Sequence, residues 1–282
     1  MIISKSYLCI DAGGTFFKFT AFDEKGNQLI PIGEIPANSN GTMEEIFAGY
    51  KQIFDLVNGD YKVCGVGIAT PGPFDYVGKM SLMEHKFKSL YKVNLGDELE
   101  KIFGKIPITF MSDTNAFLKG AYDGKESSIG ITIGTGLGIA ISVDGELVTN
   151  KFGGPAEVIY NKSVDENHIA EDYVSGRGIS AEYEILSGKS GFSAKEVSEL
   201  ARKGDEKALN VYNVMGTVLG DSLKDIVKKY DATVIFVGGQ ISKSLDLFED
   251  NVQKKINKKV RIEAAPNSEM AALYGIYKEI KS

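Results

Sequence analysis

The segment DAGGT, residues 11–15, places a carboxylate, two glycines and a hydroxyl group side by side. Successive N–H groups in a tight turn form a concavity that binds anions, and glycine lets an anion approach the main chain closely. Asp11 alone would repel a phosphate, so its natural use is to hold hydrated Mg²⁺ beside one. Lys18 could add positive charge. An ordinary hairpin with a Gly-Gly turn explains this segment equally well when it is considered alone.

A second carboxylate that could take part in catalysis is that of Asp113. This residue follows the apolar run IPITFMS and precedes the helix-like segment TNAFLKGAY. Ligands of α/β proteins bind at such strand ends. A carboxylate there can accept a proton from a bound hydroxyl group and so act as a general base. The alternative is that Asp113 only caps the helix, which aspartate does well.

The flanking residues predict how the first segment is positioned. The apolar runs 6–10 and 16–22 are β-prone and predict two strands, with a turn at 24–27 and a third strand over 28–35. The unit recurs later in the chain, where a strand ends in Gly134-Thr135-Gly136, continues through Gly138 and reaches an Asp-Gly hairpin turn at 144–145. Two such units favour a duplicated architecture over an isolated hairpin.

The remaining pattern predicts an α/β protein, because strands alternate with helices along the chain. Thr42 and Glu45 form a capping box before a helix, and Gly104 is expected to end another. A buried strand ends at the pair Gly238-Gly239, with a helix starting near Ser244. Further strand and helix patterns run to the last residues. From the repeated unit we expect an N-terminal domain over 1–118 and a C-terminal domain over 119–282, whose terminal helix can pack back on the first.

Composition narrows the class of partner. The 282 residues carry a net charge of −6 with mixed signs, which argues against nucleic-acid binding. No apolar run approaches the roughly 20 residues that span a bilayer. The first strand begins within the opening residues, so we expect no signal peptide. Cys9 and Cys64 lie in strand-like runs and are expected to be buried thiols in a reducing cytoplasm.

Five motifs in order resemble the ROK family of bacterial sugar kinases, which belongs to the actin/hexokinase superfamily. They are DAGGT with Lys18, GIATPGP, SDTN, TIGTGLG and IFVGGQIS. The resemblance implies two actin/hexokinase-like (ribonuclease-H-like) domains around a nucleotide and sugar cleft. It also implies ATP and Mg²⁺ as cofactors and a small-molecule sugar as acceptor.

By this resemblance the nucleotide contacts come from the glycine segments and Asp113 is the general base. Asp11 would position Mg²⁺ through water, and the sugar would meet the glycine-proline loop and Ser112, which replaces the family's asparagine. The implied nucleotide-binding residues are Asp11, Gly13, Gly14, Thr15, Lys18, Gly134, Thr135, Gly136, Gly138, Gly238 and Gly239. The implied substrate-binding residues are Gly72, Ser112, Asp113, Glu157, Tyr160 and Glu171.

The chain departs from the family pattern at the sugar end. The segment AEVIY matches the place of a Gly-Glu-x-Gly-His run, so Tyr160 replaces its histidine, and the family's zinc-binding cysteines are missing before Glu171. His168 alone does not make a structural zinc site, which needs four ligands. We therefore expect no zinc, as in the family members that phosphorylate β-glucosides. Glu84 and His85 stand where the family has a Pro-Asn pair and are either its substitutes or an exposed loop.

Three rival functions remain open. ROK repressors carry a helix-turn-helix before the first strand, for which we expect no room here. A non-catalytic sugar-binding relative would fit the altered sugar loop but not the retained Asp113 and phosphate motifs. An ATPase acting on a protein partner would not need Glu157 and Glu171. The apolar C-terminal helices are compatible with a homodimer, and a core-facing position explains them equally well.

Overall fold

The computed structural model describes residues 4–282. The strands are β1 (Lys5–Ala12), β2 (Phe16–Phe22), β3 (Gly33–Pro36), β4 (Lys62–Thr70), β5 (Phe74–Asp75), β6 (Met80–Ser81), β7 (Ile108–Ser112), β8 (Ser128–Ile133), β9 (Leu137–Val143), β10 (Glu146–Leu147), β11 (Val234–Gly238) and β12 (Arg261–Ala264). The α-helices are α1 (Met43–Asp60), α2 (Leu95–Phe103), α3 (Asp113–Ala121), α4 (Ala170–Tyr173), α5 (Gly176–Ser187), α6 (Ala194–Arg202), α7 (Glu206–Lys229), α8 (Glu249–Ile256) and α9 (Ser268–Lys281). Short 3₁₀ helices cover Lys88–Leu90 and Gln240–Leu247.

The chain divides into two compact units. Unit 1 comprises Met1–Tyr122, Thr149–Pro155 and Glu269–Ser282, and unit 2 comprises Asp123–Val148 and Ala156–Ser268. Both units are therefore assembled from separate stretches of sequence: the terminal helix and the stretch Thr149–Pro155 join unit 1, whereas the predicted domains are continuous apart from that helix. The division after Tyr122 lies four residues beyond the predicted boundary at 118.

Each unit contains a five-stranded mixed sheet, and the two sheets have the same strand order. In unit 1 the order is β3-β2-β1-β4-β7, and in unit 2 it is β10-β9-β8-β11-β12. In each sheet the first three strands of this order form an antiparallel meander. The last two strands run parallel to the third, which is β1 in unit 1 and β8 in unit 2. The repeated strand–glycine–strand unit of the sequence thus forms the central hairpin of both sheets.

Separate hydrophobic cores stabilise the two units. The core of unit 1 includes Leu8, Ile10, Phe17 and Ile53, and that of unit 2 includes Ile131 and many side chains of the long helix α7. Alternation along β1 and β2 buries one face of each strand fully and the other in part. Burial of this apolar surface is the main force that holds each hairpin in place.

Helix α9 covers part of unit 1. A Cβ on Gly67 of β4 would lie 2.6 Å from Ile276, and the backbone of α9 approaches α3 still more closely at Gly120 and Gly275. The apolar face of α9 is therefore occupied inside unit 1. That packing accounts for the apolar pattern which, in the sequence, was also compatible with a dimer.

Several local predictions are confirmed. Thr42 and Glu45 form the predicted capping box of α1, Gly104 ends α2, and residues 144 and 145 both have positive φ, as a type I′ hairpin turn requires. The third strand is shorter than predicted, since it begins at Gly33 after Pro31, which has no N–H to donate. The helix expected near Ser244 begins earlier, directly after Gly239.

Candidate functional site

The first glycine turn, residues 13–15, joins β1 to β2 in unit 1. The carbonyl of Gly14 accepts a hydrogen bond from the Ser39 hydroxyl, and that of Thr15 accepts one from the N–H of Ala37 at 2.9 Å. Within residues 4–282, the N–H groups of residues 13–15 donate no hydrogen bond. The turn is thus fixed through its carbonyls while its donors stay available, which is the arrangement that an anion site needs.

Asp11 lies at the end of β1, directly opposite Lys18 on β2. Burial, together with the nearby charge of Asp113, raises the pKa of Asp11 to about 7, and the ammonium group of Lys18 opposes this rise only in part. The Lys18 ammonium is itself 3.3 Å from the carboxylate of Glu34. Two desolvated carboxylates with little compensating charge favour a bound cation.

Asp11 should make the stability of the protein depend on pH. A carboxyl group whose pKa is higher in the folded than in the unfolded chain destabilises the fold as pH rises from about 4 towards 7 and above. Asp11→Asn should remove this penalty and raise the free energy of unfolding at pH 8 by about 2–4 kcal/mol, with little change at pH 4. Urea denaturation of both proteins at several pH values measures the difference. The exposed Asp225→Asn is the control, and a parallel pH profile for wild type and Asp11→Asn would contradict the assignment.

Asp113 is the first residue of α3, and the structure corrects the idea that it only caps this helix. Ser112 is the N-cap, since its hydroxyl accepts the N–H of Asn115 at 3.1 Å. One oxygen of Asp113 accepts the N–H of Thr114 at 2.8 Å. Burial raises the pKa of Asp113, although this hydrogen bond and the charge of Lys86 oppose the rise. A partly buried carboxyl group with a raised pKa is a stronger proton acceptor than an ordinary carboxylate, as a general base needs.

The Ser112 side chain is buried and its hydroxyl group caps α3. It is 1% exposed, and its hydroxyl also lies 3.2 Å from that of Thr114. Its predicted contact with a substrate therefore gains no support from this geometry. Sequence reasoning missed the capping role because serine and aspartate stand next to each other and both cap helices well.

The second glycine turn, residues 134–136, joins β8 to β9 in unit 2. The N–H of Gly134 donates to the carbonyl of Gly136 at 3.0 Å, and the carbonyl of Gly134 accepts the N–H of Gly176 at 2.8 Å. Thr135 is exposed at the tip, and Gly138 lies on β9 opposite Thr132. The turn therefore has a different hydrogen-bond pattern from the first one, with the start of α5 packed against it.

Gly238 ends β11 beside this second turn, and Gly239 follows it at the start of the 3₁₀ helix Gln240–Leu247. Gly239 has φ of +82°, and a Cβ there would lie 2.2 Å from the carbonyl oxygen of Ile133, the last residue of β8. Its N–H donates to the Ser268 hydroxyl at 3.0 Å. Only glycine satisfies both the dihedral and the close approach. Unit 2 thus brings together the second and third glycine segments that the sequence singled out.

Glu171 supports the second glycine turn. One of its oxygens accepts the N–H of Leu137 at 3.0 Å, and the other accepts a hydrogen bond from Arg177 at 2.8 Å. The carbonyl of Tyr160 accepts the N–H of Glu171 at 2.9 Å, and the Tyr160 side chain is 45% exposed. Sequence reasoning missed Arg177, because an arginine beside the glycines of SGRG carries no signal of its own.

Glu157 has partners in unit 2 that the sequence did not reveal. One carboxylate oxygen accepts hydrogen bonds from the Lys229 ammonium at 2.6 Å and from the Tyr230 hydroxyl at 2.9 Å. The hydrogen bond from Lys229 lowers the pKa of Glu157, so this carboxyl group is ionised near neutral pH. A purely structural role for Glu157, as the partner of a lysine, therefore also fits this geometry.

The other predicted positions are less constrained. Gly72 lies between β4 and β5 and is exposed, as are Glu84 and His85. No group of three or more His, Cys, Asp or Glu side chains that could hold a metal ion occurs among residues 4–282. His168 contacts Asp165 at 2.9 Å instead. The absence of zinc stays a prediction. Among the same residues, no helix is both long and apolar enough to cross a bilayer.

Known proteins resemble this chain over nearly its whole length. A glucokinase from Thermotoga maritima is 23% identical over 274 residues, which cover 88% of this chain and 86% of the glucokinase. An N-acetyl-D-glucosamine kinase from Photobacterium profundum is 26% identical over 276 residues, with 89% of each chain covered. The crystal structure of a ROK family glucokinase from Streptomyces griseus in complex with glucose and AMPPNP has a TM-score of 0.83 at 22% identity, covering 98% of this chain and 99% of that one.

The structural likeness confirms the predicted α/β fold of the actin/hexokinase type. A family model described as "ROK family" matches residues 7–273. That range spans both glycine turns, Asp113 and the Gly238-Gly239 pair, and the predicted resemblance to the family is confirmed. The chain belongs to the ROK family.

Proposed function

We propose that this protein transfers the γ-phosphoryl group of ATP to a hydroxyl group of a hexose, an N-acyl hexosamine or a β-glucoside. The enzyme class, an ATP-dependent carbohydrate kinase, follows from family membership and from the kinases to which the chain is similar.

The proposal rests on the position and the raised pKa of the Asp113 carboxyl group in unit 1. This group stands at the end of a parallel strand, has a pKa raised by burial, and is near enough to Asp11 to raise the pKa of that group too. In the reaction, the hydroxyl oxygen of the sugar forms a bond to the γ-phosphorus. The bond from that phosphorus to the β,γ-bridging oxygen breaks, ADP leaves with the electron pair, and the hydroxyl proton passes to Asp113.

The glycine segments would bind the nucleotide. In unit 1 the free N–H groups of residues 13–15 suit phosphate oxygens, and Thr15 is exposed there with its hydroxyl group. In unit 2 the proposed contacts are Gly134, Thr135, Gly136 and Gly138, with Gly238 and Gly239 leaving room for the adenosine. Positioning and charge neutralisation supply most of the acceleration in such a transfer.

Asp11 is the residue that would hold Mg²⁺, through water. Its carboxyl group is desolvated and lies near a second carboxyl group, so a divalent cation fits its surroundings. When bound, Mg²⁺ neutralises phosphate charge. The charge of Lys18, opposite Asp11, favours the ionised form of that carboxyl group, which is the form that binds a cation.

Glu157, Glu171 and Tyr160 are the proposed sugar contacts of unit 2, with Gly72 in unit 1. Each glutamate already has a protein partner, so each would have to offer its remaining acceptor sites to sugar hydroxyl groups. Hydrogen bonds to charged groups are worth about 1.5–3 kcal/mol. A carboxylate fixed by Lys229 or Arg177 is also oriented before a ligand arrives.

Glu157→Gln should raise the sugar KM by roughly tenfold or more, since about 1.4 kcal/mol corresponds to one decade of affinity. The change keeps the size of the side chain and removes its charge. ATP affinity measured without sugar should barely change, because the phosphate-binding turns are distinct from Glu157. Steady-state kinetics with varied sugar and separate nucleotide titrations measure both quantities.

Lys229→Met is the matched control for this change. It breaks the same ion pair and leaves the carboxylate of Glu157 in place with its hydrogen bond from Tyr230, so it should lower thermal stability as much as Glu157→Gln and raise the sugar KM much less. If Glu157→Gln lowers the melting temperature and the sugar KM stays as in wild type, Glu157 is only a structural partner of Lys229.

A coupled assay of ADP release across a panel of sugars tests the function itself. ATP turnover that depends on one sugar supports the kinase. Sugar binding without turnover supports the alternative, a non-catalytic or regulatory ROK relative. Turnover with no sugar added, stimulated by a protein, supports an ATPase of the same superfamily.

A further inference from the structure

Lys86 lies beside the first glycine turn without a partner of its own. Its side chain runs along Gly14, with Cδ 3.3 Å and Nζ 3.8 Å from the position that a Cβ on Gly14 would occupy. Among the described residues, 4–282, no hydrogen bond or ion pair to the Lys86 ammonium group is present. Lys86 is a half-buried residue, and an ammonium group with no carboxylate beside it attracts an anionic ligand.

The segment that carries Lys86 is fixed to the turn. The N–H of Phe87 donates to the carbonyl of Ser39 at 2.9 Å, and the hydroxyl of Ser39 donates to the carbonyl of Gly14. The buried Phe87 ring also stacks on Phe17 of β2, with centroids 6.1 Å apart. Lys86 is therefore held at Gly14 by its neighbour in sequence and not by an interaction of its own charge.

The charge of Lys86 reaches the second functional group of unit 1 as well, since it lowers the pKa of the Asp113 carboxyl group. Lys18, the lysine that the sequence singled out, is in a different position. Its ammonium group is 3.3 Å from Glu34 and faces Asp11, so its charge is already balanced. Of these two lysines of unit 1, only Lys18 has a carboxylate within ion-pair distance among residues 4–282, so the Lys86 ammonium group is the one that can pair with an anionic ligand.

We propose that Lys86 is a catalytic residue that binds the γ-phosphoryl group of ATP as it is transferred. This inference rests on the proposed function. The ammonium group is near the free N–H groups that suit phosphate oxygens and near the carboxyl group that takes the acceptor proton. A cation there stabilises the charge of the phosphoryl group while its bond to ADP breaks and its bond to the sugar oxygen forms.

Lys86→Met tests the assignment, because it keeps the length of the side chain and removes its charge. The variant should bind AMPPNP about tenfold more weakly than wild type and bind ADP, which has no γ-phosphate, with unchanged affinity. Its kcat should fall about 10²–10³-fold, the usual cost of removing one group that stabilises transition-state charge, and the sugar KM should stay within about twofold. Lys86→Arg should restore the preference for AMPPNP over ADP.

Lys88→Met is the control, since Lys88 is exposed two residues further along the same segment. It should leave kcat and both nucleotide affinities unchanged. Equal weakening of ADP and AMPPNP in Lys86→Met, or no change in either, would overturn the proposal. So would an increase confined to the sugar KM, which would place Lys86 at the acceptor.

The failure of this inference can be told apart from the failure of the proposed function. If no sugar supports turnover by the wild-type protein, the kinase assignment fails, and the ratio of AMPPNP to ADP affinity still decides whether Lys86 contacts a γ-phosphate. If wild type is an active kinase and Lys86→Met matches it, only the role of Lys86 is lost.

Discussion

Asp113→Asn should lower kcat by about 10²–10⁴-fold, the usual contribution of a general base, which corresponds to roughly 3–5 kcal/mol of barrier. Asparagine keeps the shape of the side chain and can still accept the N–H of Thr114, so α3 should begin as it does now. It cannot take the proton of the sugar hydroxyl group. The KM for the sugar and the affinity for AMPPNP should change little.

Asp113→Asn should not lower the stability of the protein, so its loss of kcat could not be attributed to unfolding. Burial raises the pKa of Asp113, so a neutral side chain at this position relieves an unfavourable charge at pH 7. Melting temperatures measured beside kcat test the point. Asp97→Asn, a change in the first turn of α2, is the control and should leave kcat unchanged. A variant with near-wild-type kcat would show that Asp113 is not the base.

Gly275→Ala should destabilise the protein by about 3–5 kcal/mol, at the upper end of the range for single substitutions. A Cβ there would lie 1.8 Å from the carbonyl oxygen of Ala116 on α3, and one on Gly120 would lie 1.8 Å from that of Ala271 on α9. Backbone atoms cannot rotate away as side chains do, so the two helices would have to separate. Because α3 begins with Asp113, the displacement should also lower kcat.

Gly59→Ala is the matched control, because it makes the same substitution in a helix with no atom within 4 Å of the new methyl group. It should be neutral or stabilise by about 0.5–1 kcal/mol, since alanine is the better helix former. Urea denaturation should show a large loss of stability for Gly275→Ala and no loss for Gly59→Ala. Equal, small changes would mean that α3 and α9 do not touch through their backbones in solution.

The sequence predicts features that depend on neighbouring residues. The capping box of Thr42 and Glu45, the end of α2 at Gly104 and the turn at 144–145 all arise within a few residues of chain. The repeated strand–glycine–strand unit predicts two like hairpins, and both sheets contain one with the same strand order. The third strand was too long in the prediction because periodicity alone does not weigh the missing N–H of a proline.

The candidate site was harder to predict where partners are distant in sequence. Glu157 meets Lys229 and Tyr230 more than 70 residues further along the chain, and no local pattern carries that pairing. The approach of Lys86 to Gly14 likewise depends on how the segment 84–87 folds back on the first turn. At Ser112 and Asp113 the difficulty is different. Both residue types cap helices well, so the sequence does not say which of the two is the N-cap of α3, and only the backbone geometry decides it.

The place of α9 in unit 1 has a consequence for how the protein emerges from the ribosome. Helix α9 packs on β4 and α3, yet most of unit 2 lies between α3 and α9 in the chain. Domains generally fold as units during synthesis, N-terminal ones first, but unit 1 cannot complete its packing until the last turns of α9 have left the exit tunnel. Until then the glycine-rich face of β4 remains open to water and to chaperones, although unit 1 is translated first.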